Sequence, residues 1–325
     1  MNVLGIDAGG TKTVFSLCNQ KGEVLCTLLR PSSALPQIGE EAQRELLREG
    51  MLATLAEAGL SPQEPFEDLS AVCFGAPCWG ESKIGDEAMR RSMGRICGNV
   101  PWLICNDAQV AWAGSFALRP GINIVAGTGA MAFGVDASGE MARCGGWGEH
   151  FADEGSGYWL GKRMLSLFCK EADGRLPKAA LYPLVREHFY LSDDYDITEA
   201  VLNDWLPYRS KVAGLQMLLL EAARRGDGNA IDCYCEAGRE IAMNVKGILE
   251  KLDFSAGAEV SYSGGIFKVG AWVMDSFRQA LRDYGCKLVH PLAPPWVGAL
   301  MTALQIIGAD MPAALAQLIE AGREG

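Results

Sequence analysis

The sequence contains few of the residues on which several common kinds of enzyme chemistry depend. Only three histidines occur among its 325 residues, His150, His188 and His290, and they show no metal-ligand spacing. Neither a Ser-His-Asp arrangement nor a zinc pattern is visible.

Lysine and arginine total 29 against 40 acidic residues, which gives a net charge of −11. Since nucleic acids and anionic membranes bind clustered basic residues, this balance argues against either as a partner.

Long apolar runs are also missing. No stretch approaches the roughly 20 residues that a membrane-spanning helix needs. The first residues contain Asp7 and no basic-then-apolar run, which is not the pattern of a signal peptide. The eleven cysteines are scattered and odd in number, as expected of buried thiols in a reducing compartment. We therefore expect a soluble cytoplasmic protein.

What the sequence does have is the composition of a well-packed globular protein. Apolar residues make up 49% and charged residues 21% of the chain. A chain of 325 residues has room for about two domains. The best boundary candidate is the loop at Arg119, Pro120 and Gly121. We predict one domain at 1–119 and a second, with a helical insertion, at 120–307, and a final helix at about 308–325 that can pack back on the first.

The stretch GIDAGGTKT, residues 5–13, joins two apolar segments that read as β-strands. Its glycines allow backbone angles that other residues avoid and let a ligand approach the main chain. Successive exposed N–H groups beside Thr11, Lys12 and Thr13 would form an anion cradle. A hairpin with an ordinary glycine-rich turn is the alternative interpretation.

A second stretch, IVAGTGAMAFGVDASGEM, repeats this design. Gly10-Thr11 is followed twelve positions later by Gly22-Glu23, and Gly127-Thr128 is followed twelve positions later by Gly139-Glu140. An apolar strand lies between the markers in both copies. The repeat indicates a duplicated domain whose two Gly-Thr turns could close on one polyphosphate. Coincidence is the alternative, because Gly-Thr pairs are common, and the matched register makes it the weaker one.

Between these motifs the pattern predicts an α/β layer with a mixed sheet in the first half and a mostly helical second half. Helices are indicated by apolar spacings of three and four and by glycine or proline stop signals. The predicted helices span 40–58, 85–96, 181–189, 212–225, 229–252 and 311–321, and another begins near Ser156.

Three further positions are candidates for chemistry. Asp107 follows the strand PWLICN, at the strand end where ligands bind in open α/β sheets; either it or Asn106 could instead cap the next helix. The loop GGWGEHFADEGSGYW combines glycines, aromatic rings and Asp153, a combination suited to carbohydrate, although it could be a structural loop. SGGIFK, residues 263–268, is a third glycine turn that could accept adenine or ribose, with a plain tight turn as an equal alternative.

In their order and spacing these motifs resemble the N-acetylglucosamine kinase branch of the BadF/BadG/BcrA/BcrD ATPase family, within the actin/hexokinase/Hsp70 superfamily. The motifs are GIDAGGTKT, the GTG turn, CGGWG, ADEGS, SGGIFK and PPWVGAL, and they run from residue 5 to about 304. The resemblance implies a duplicated RNase H-like (actin-like ATPase) fold, with two lobes and a nucleotide and sugar cleft between them. It also implies ATP and Mg²⁺ as cofactors, a sugar substrate and a homodimer.

The same resemblance implies roles for individual residues. Asp107 would be the general base for a sugar hydroxyl, that on C6, and Asp7 would help to hold Mg²⁺. The implied phosphate-binding residues are Gly9, Gly10, Thr11, Lys12, Thr13, Gly127, Thr128 and Gly129. Those for adenosine are Gly238, Gly264 and Gly265, and those for the sugar are Ser33, Asp107, Gly145, Gly146 and Asp153.

The chain departs from this group at two places. It has Ala130-Met131 where these kinases tend to have Ser-Asn, and Ser32-Ser33 where they tend to carry an Asn. Glucosamine, N-acetylmuramic acid and other hexose derivatives are therefore alternative substrates. An ATPase that activates a reductase, or a catalytically silent sugar sensor, are alternative functions on the same fold.

Overall fold

The computed structural model describes residues 1–64, 66–204 and 208–324. The chain divides into two compact units. Unit 1 comprises 1–123, 133–140 and the C-terminal segment from Val289 onward. Unit 2 comprises 124–132 and 141–288. The chain therefore crosses between the units several times, at about residues 123, 132, 140 and 288. A single boundary near residue 120 does not separate these two units.

The first sheet lies in unit 1. Its strands are β1 (Asn2–Ala8), β2 (Lys12–Asn19), β3 (Val24–Pro31), β4 (Leu69–Ala76) and β5 (Trp102–Asn106), in the order β3-β2-β1-β4-β5. β1, β2 and β3 are antiparallel neighbours, whereas β4 runs parallel to both β1 and β5. The carboxyl ends of β1, β4 and β5 consequently meet at one edge of the sheet.

The second sheet has the same topology. Its strands are β6 (Gly121–Ala126), β7 (Ala130–Val135), β8 (Met141–Gly145), β9 (Glu259–Ser263) and β10 (Lys287–Leu288), in the order β10-β9-β6-β7-β8. Read from the other side, this order places the third, second, first, fourth and fifth strands as in the first sheet. The predicted duplicated RNase H-like fold of two lobes is confirmed.

Helices account for most of the remaining described chain. In unit 1 they are α1 (Leu35–Glu57), α2 (Lys83–Cys97) and α3 (Asp107–Phe116), and then, at the C-terminal end, α11 (Pro295–Ile306) and α12 (Met311–Glu324). In unit 2 they are α4 (Gly157–Ala172), α5 (Leu181–His188), α6 (Asp196–Asp204), α7 (Arg209–Gly214), α8 (Gln216–Arg224), α9 (Gly228–Leu249) and α10 (Ala271–Asp283).

Two apolar cores fix the first sheet from its opposite faces. On one face α1 and α2 bury Leu47, Met51 and Met93 against the sheet. On the other face α3, α11 and α12 form a second core that includes Val110. β1 and α11 pack very closely, because a Cβ atom on Gly5 would lie 2.7 Å from the backbone nitrogen of Leu300. This packing holds β1, and the turn that follows it, in a rigid setting.

Some helix boundaries differ from the prediction for identifiable reasons. α1 begins five residues early, with a proline near its first position, and Gly39 interrupts its helical backbone with a φ of 80°. The segment predicted as one helix over 212–225 is two helices, α7 and α8, that meet at Leu215. α6 was not predicted. SGGIFK forms a strand end and a short 3₁₀ turn, Gly265–Lys268, before α10.

Candidate active site

The first glycine turn lies between β1 and β2 and is held by side chains from the loop after β3. The turn closes through a bond from the Gly9 N–H to the Lys12 carbonyl, 2.8 Å. The Ser32 hydroxyl donates to the Gly9 carbonyl at 2.8 Å, and the Gln37 amide donates to the Gly10 carbonyl at 3.0 Å. Because these bonds occupy the turn's carbonyl oxygens, they fix its orientation. The Thr11 and Lys12 side chains are exposed, as binding of an anion requires.

Thr13 and Ser33 are buried behind this turn. Both are 0% exposed. The Thr13 hydroxyl donates to the Ser33 hydroxyl at 3.0 Å, and the Ser33 N–H donates to the Thr13 hydroxyl at 2.9 Å. Gln43 donates to the Ser33 carbonyl at 2.7 Å. These bonds give Ser33 a role in holding the first glycine turn, and its predicted contact with the sugar stays a prediction.

Asp7 is the second-to-last residue of β1, close to the glycine turn, and is half-buried. Burial raises the pKa of its carboxyl to about 6, and the positive charge of Lys12 partly opposes the rise. A half-buried carboxylate beside a glycine turn with exposed Thr11 and Lys12 fits Mg²⁺, which takes one or two protein carboxylates and completes its shell with phosphate oxygens and water. Across the described ranges no three His, Cys, Asp or Glu side chains cluster in a metal-binding group.

Asp107 lies at the junction of β5 and α3, and the structure decides which residue caps that helix. The N-cap is Asn106, whose side-chain oxygen accepts from the Ala108 N–H at 2.9 Å and whose amide donates to the Trp79 carbonyl at 3.0 Å. Asp107 is the first helical residue, is half-buried, and accepts from the same Ala108 N–H at 3.0 Å. The N-cap of α3 is therefore Asn106 and not Asp107.

Asp7 and Asp107 lie at the same edge of the first sheet. In the ladder, Asp7 is paired with Gly75 of β4, and Gly75 is paired with Cys105 of β5. Asp107 follows Cys105 by two residues. The pKa of the Cys105 thiol is raised well above its usual value by its hydrogen bond with Cys73 and by burial, and further by the charges of Asp107 and Asp7. Both carboxylates are therefore close enough to Cys105 to raise the pKa of its thiol.

The second glycine turn lies between β6 and β7 in unit 2. It closes through a bond from the Gly127 N–H to the Gly129 carbonyl, 2.9 Å. The first N–H groups of α4 hold it from outside: Gly157 donates to the Gly127 carbonyl at 2.8 Å, and Tyr158 donates to the Thr128 carbonyl at 3.2 Å. As in unit 1, the carbonyl oxygens of the turn are bonded within the protein.

The glycine-rich loop after β8 packs against this second turn. Gly145 and Gly146 have φ values of 78° and 68°, which favour glycine. The Gly146 N–H donates to the Ala130 carbonyl at 3.1 Å, and the Asp153 carboxylate accepts from the Ala130 N–H at 3.5 Å. A Cβ atom on Gly145 would lie 2.7 Å from the side-chain oxygen of Asn244. The predicted sugar residues of unit 2 therefore adjoin the second glycine turn.

Asp153 is almost fully buried, at 2% exposure, and its backbone φ is 60°. It does not cap the following helix, because Ser156 does so by accepting from the Trp159 N–H at 3.2 Å. Burial raises the pKa of its carboxyl, whereas the guanidinium of Arg209 and the Ala130 N–H oppose the rise.

Arg209 forms an ion pair with Asp153, and its Nε lies 3.4 Å from a carboxylate oxygen of Glu149. Neither Arg209 nor Glu149 was predicted as a site residue. Arg209 lies on α7, 56 residues after Asp153, and no local pattern in the sequence links the two.

The third glycine turn follows β9. Gly264 has a φ of 102° and lies against the backbone of Ala126, just before the second glycine turn, whereas a Cβ on Gly265 would meet no heavy atom within 4 Å. Gly238 is buried in α9, where a Cβ would lie 2.5 Å from the Val273 carbonyl of α10. Close helix packing therefore accounts for the glycine at 238, and the predicted contacts of these three glycines with adenosine stay predictions.

Taken unit by unit, the structure groups most of the predicted site residues. Unit 1 brings together the first glycine turn, Asp7 and Asp107, and unit 2 brings together the second turn, the glycine loop and Asp153.

Among the described residues, none of the helices combines the length and the apolar composition that a membrane-spanning helix needs.

The family model of the BadF/BadG/BcrA/BcrD ATPases matches residues 4–303. The chain belongs to this family. Among its family relatives is an N-acetylmuramic acid/N-acetylglucosamine kinase of Clostridium acetobutylicum, 29% identical over 86% of this chain and 90% of that protein. An N-acetyl-D-glucosamine kinase of Dictyostelium discoideum is 26% identical over 93% of this chain and 97% of that protein.

Two solved structures can be compared with this chain. A candidate N-acetylglucosamine kinase from Chromobacterium violaceum superposes with a TM-score of 0.78 at 26% identity, covering 94% of this chain and 99% of that chain. A ROK family glucokinase of Streptomyces griseus, solved with glucose and AMPPNP, has a TM-score of 0.53 at 18% identity, covering all of both chains, and supports the fold alone.

Proposed function

We propose that this protein is an ATP-dependent kinase that phosphorylates a hydroxyl, that on C6, of N-acetylglucosamine or a related amino sugar. The observation that carries the proposal is the position of Asp107, at the carboxyl end of β5 and on the same sheet edge as Asp7, with helix capping left to Asn106. The names of the family relatives support the sugar kinase assignment.

In unit 1 the residues fit the donor and the base of this reaction. Backbone N–H groups of the turn at Gly9 to Thr13, with Lys12, would bind phosphate oxygens of ATP. Asp7 would help to hold Mg²⁺, which neutralises charge on the phosphates when bound. Asp107 would accept the hydroxyl proton as the sugar oxygen bonds to the γ-phosphorus and the bond from that phosphorus to the ADP oxygen breaks.

In unit 2 the residues fit the remaining contacts. Gly127, Thr128 and Gly129 would bind phosphate through their backbone. An ionised Asp153 would accept hydrogen bonds from sugar hydroxyls, and Gly145 and Gly146 would contact the sugar through their backbone. The contacts of Gly264, Gly265 and Gly238 with adenosine, and of Ser33 with the sugar, belong to the same proposal.

The acceptor is the least constrained part of the proposal. The relatives' names include N-acetylglucosamine, N-acetylmuramic acid and glucosamine kinases. In this chain Ala130 and Met131 have apolar side chains where these kinases tend to have Ser-Asn, so they offer the sugar no hydroxyl or amide contact. We further propose a cytoplasmic location and a homodimer, both in line with the family resemblance.

The test is release of ADP from Mg-ATP in the presence of a panel of hexoses and amino sugars. We expect one sugar class to stimulate turnover. Asp107→Asn should abolish the stimulation while ATP still binds. Asp86→Asn is the matched control, because Asp86 also lies in the first turn of a unit 1 helix and accepts a backbone N–H, that of Gly80 at 2.8 Å. Sugar binding without turnover would favour a sensor, and an iron-containing brown protein would favour a reductase activator.

A further inference from the structure

Arg209 contacts Asp153, a predicted sugar-binding residue of unit 2, although it belongs to none of the sequence motifs. Its guanidinium pairs with the carboxylate of Asp153, and its Nε lies 3.4 Å from Glu149. The same group also adjoins the second phosphate turn, since a Cβ on Gly129 would overlap the guanidinium and lie 2.9 Å from the Asp153 carboxylate. One arginine thus contacts the glycine loop at two points and the turn at a third.

Asp153 needs such a partner to keep its charge. Only 2% of it is exposed, and burial without compensation favours a protonated carboxyl. A protonated carboxyl presents a donor where the ionised form presents only acceptors. Its other bond, from the Ala130 N–H at 3.5 Å, is long. Arg209 is therefore the main group that stabilises the ionised, fixed carboxylate.

A direct role for Arg209 in binding an anionic ligand is less favoured by the local charges. Two carboxylates, those of Asp153 and Glu149, already face the single guanidinium, so the group carries a net charge of −1. A phosphate or a sugar carboxylate would have to approach against that charge and displace an existing ion pair.

On the basis of the proposed function, we propose that Arg209 is a positioning residue for the acceptor sugar, which holds Asp153 in the ionised and oriented state that accepts hydrogen bonds from sugar hydroxyls. Arg209 itself does not touch the reacting atoms.

The charged groups around Asp153 give this proposal a distinctive pH signature. Arg209 of α7 lowers the pKa of the Asp153 carboxyl, and Glu149 of the loop raises it. On α4, Tyr158 is buried, and its phenol pKa is raised by burial and by Glu149, so it stays neutral in the working range. Removing Arg209 and removing Glu149 should therefore move the low-pH limb of kcat/KM for the sugar in opposite directions.

The experiment compares wild type, Arg209→Ala, Arg209→Lys and Glu149→Gln by steady-state kinetics in sugar and in ATP from pH 5 to 9. For Arg209→Ala we expect KM for the sugar to rise about tenfold or more and the low-pH limb to move up by about one pH unit. Arg209→Lys should keep the limb near its wild-type position, because the charge remains. Glu149→Gln should move the limb to lower pH.

Arg186→Ala is the matched control, since Arg186 also forms an ion pair with an aspartate, Asp194, in unit 2 and is equally exposed at 30%. It should change neither KM nor the limb. An unchanged sugar KM and limb in Arg209→Ala, or a rise confined to the KM for ATP, would overturn the inference alone. Loss of the sugar-dependent reaction in the wild type itself would overturn the proposed function and the inference together.

Discussion

Asp7, near the end of β1, and Asp107, directly after β5, lie on either side of β4 at a single sheet edge, with Gly75 and Cys105 between them in the ladder. With neighbouring strands about 4.8 Å apart, the ends of β1 and β5 are separated by roughly 10 Å. That spacing leaves room for a metal-bound phosphate near Asp7 and a hydroxyl near Asp107. The two carboxylates therefore have separate expected tasks, and the predictions below treat them separately.

Replacing Asp7 should stabilise the protein while it impairs Mg²⁺ binding. Burial raises the Asp7 pKa to about 6, so the folded state holds a proton that the unfolded state releases from about pH 4. Stability is therefore lost as pH rises from about 4 to 6 and stays lower above 6. Asp7→Asn should raise the free energy of unfolding at pH 8 by roughly 1–3 kcal/mol, and the gain should vanish near pH 4.

Thermal unfolding across this pH range, beside a Mg²⁺ titration of ATP turnover, checks both halves of that prediction. Protons compete with the metal for the carboxylate, so the wild type should also need more Mg²⁺ below pH 6. A variant that is less stable than wild type at pH 8 would show that the ionised carboxylate is stabilised by the protein rather than strained.

Ser32→Ala and Ser33→Ala should have different effects, although the residues are neighbours. Ser32→Ala removes the bond to the Gly9 carbonyl and frees the phosphate turn, so KM for ATP should rise about fivefold, equivalent to about 1 kcal/mol. Ser33→Ala removes a buried bond with Thr13, so the free energy of unfolding should fall by about 1–2 kcal/mol. Kinetics and denaturant unfolding of both variants distinguish these effects. A raised sugar KM in Ser33→Ala at unchanged stability would instead establish the predicted sugar contact.

Gly264 and Gly139 form a matched pair for the close approach of the third glycine turn. Both have positive φ, 102° and 87°, but a Cβ on Gly264 would lie 2.6 Å from the Ala126 carbonyl carbon, whereas one on Gly139 meets no heavy atom within 4 Å. Gly139→Ala should cost about 1 kcal/mol of backbone strain. Gly264→Ala should cost at least about 2 kcal/mol more, by the overpacking it forces. Equal losses in urea unfolding would mean that this contact is not tight.

The sequence predicts this fold well because its duplication leaves a local record. The markers around Gly10 and Gly127 occur in matched register, and each proves to be a turn between the first two strands of a sheet. The break between α7 and α8 at Leu215 is harder to predict from the sequence, because apolar residues continue on both sides of it. The N-terminal cap of α3 could not be assigned from sequence, because Asn106 and Asp107 are both good caps and only the side-chain bonds distinguish them.

The part of the site that could not be predicted is the part that depends on distant contacts. Arg209 meets Asp153 across 56 residues, and an arginine at the start of a short helix has no distinguishing pattern. The buried state of Ser33 is a similar case: its hydroxyl looks available in the loop PSSALPQIG, and only the pairing of β2 with β3 brings it against Thr13. Tertiary packing decides both.

The most direct test of the account is to identify the product. Wild-type protein would be incubated with Mg-ATP and the sugar that stimulates ADP release, and the mixture would be followed by ³¹P NMR and mass spectrometry, with Asp107→Asn in parallel. The account predicts a sugar phosphate monoester formed in equal amount to ADP by the wild type, with the rate lowered by about 10²–10⁴ in the variant. ADP accompanied only by inorganic phosphate, or an equal rate in Asp107→Asn, would contradict it.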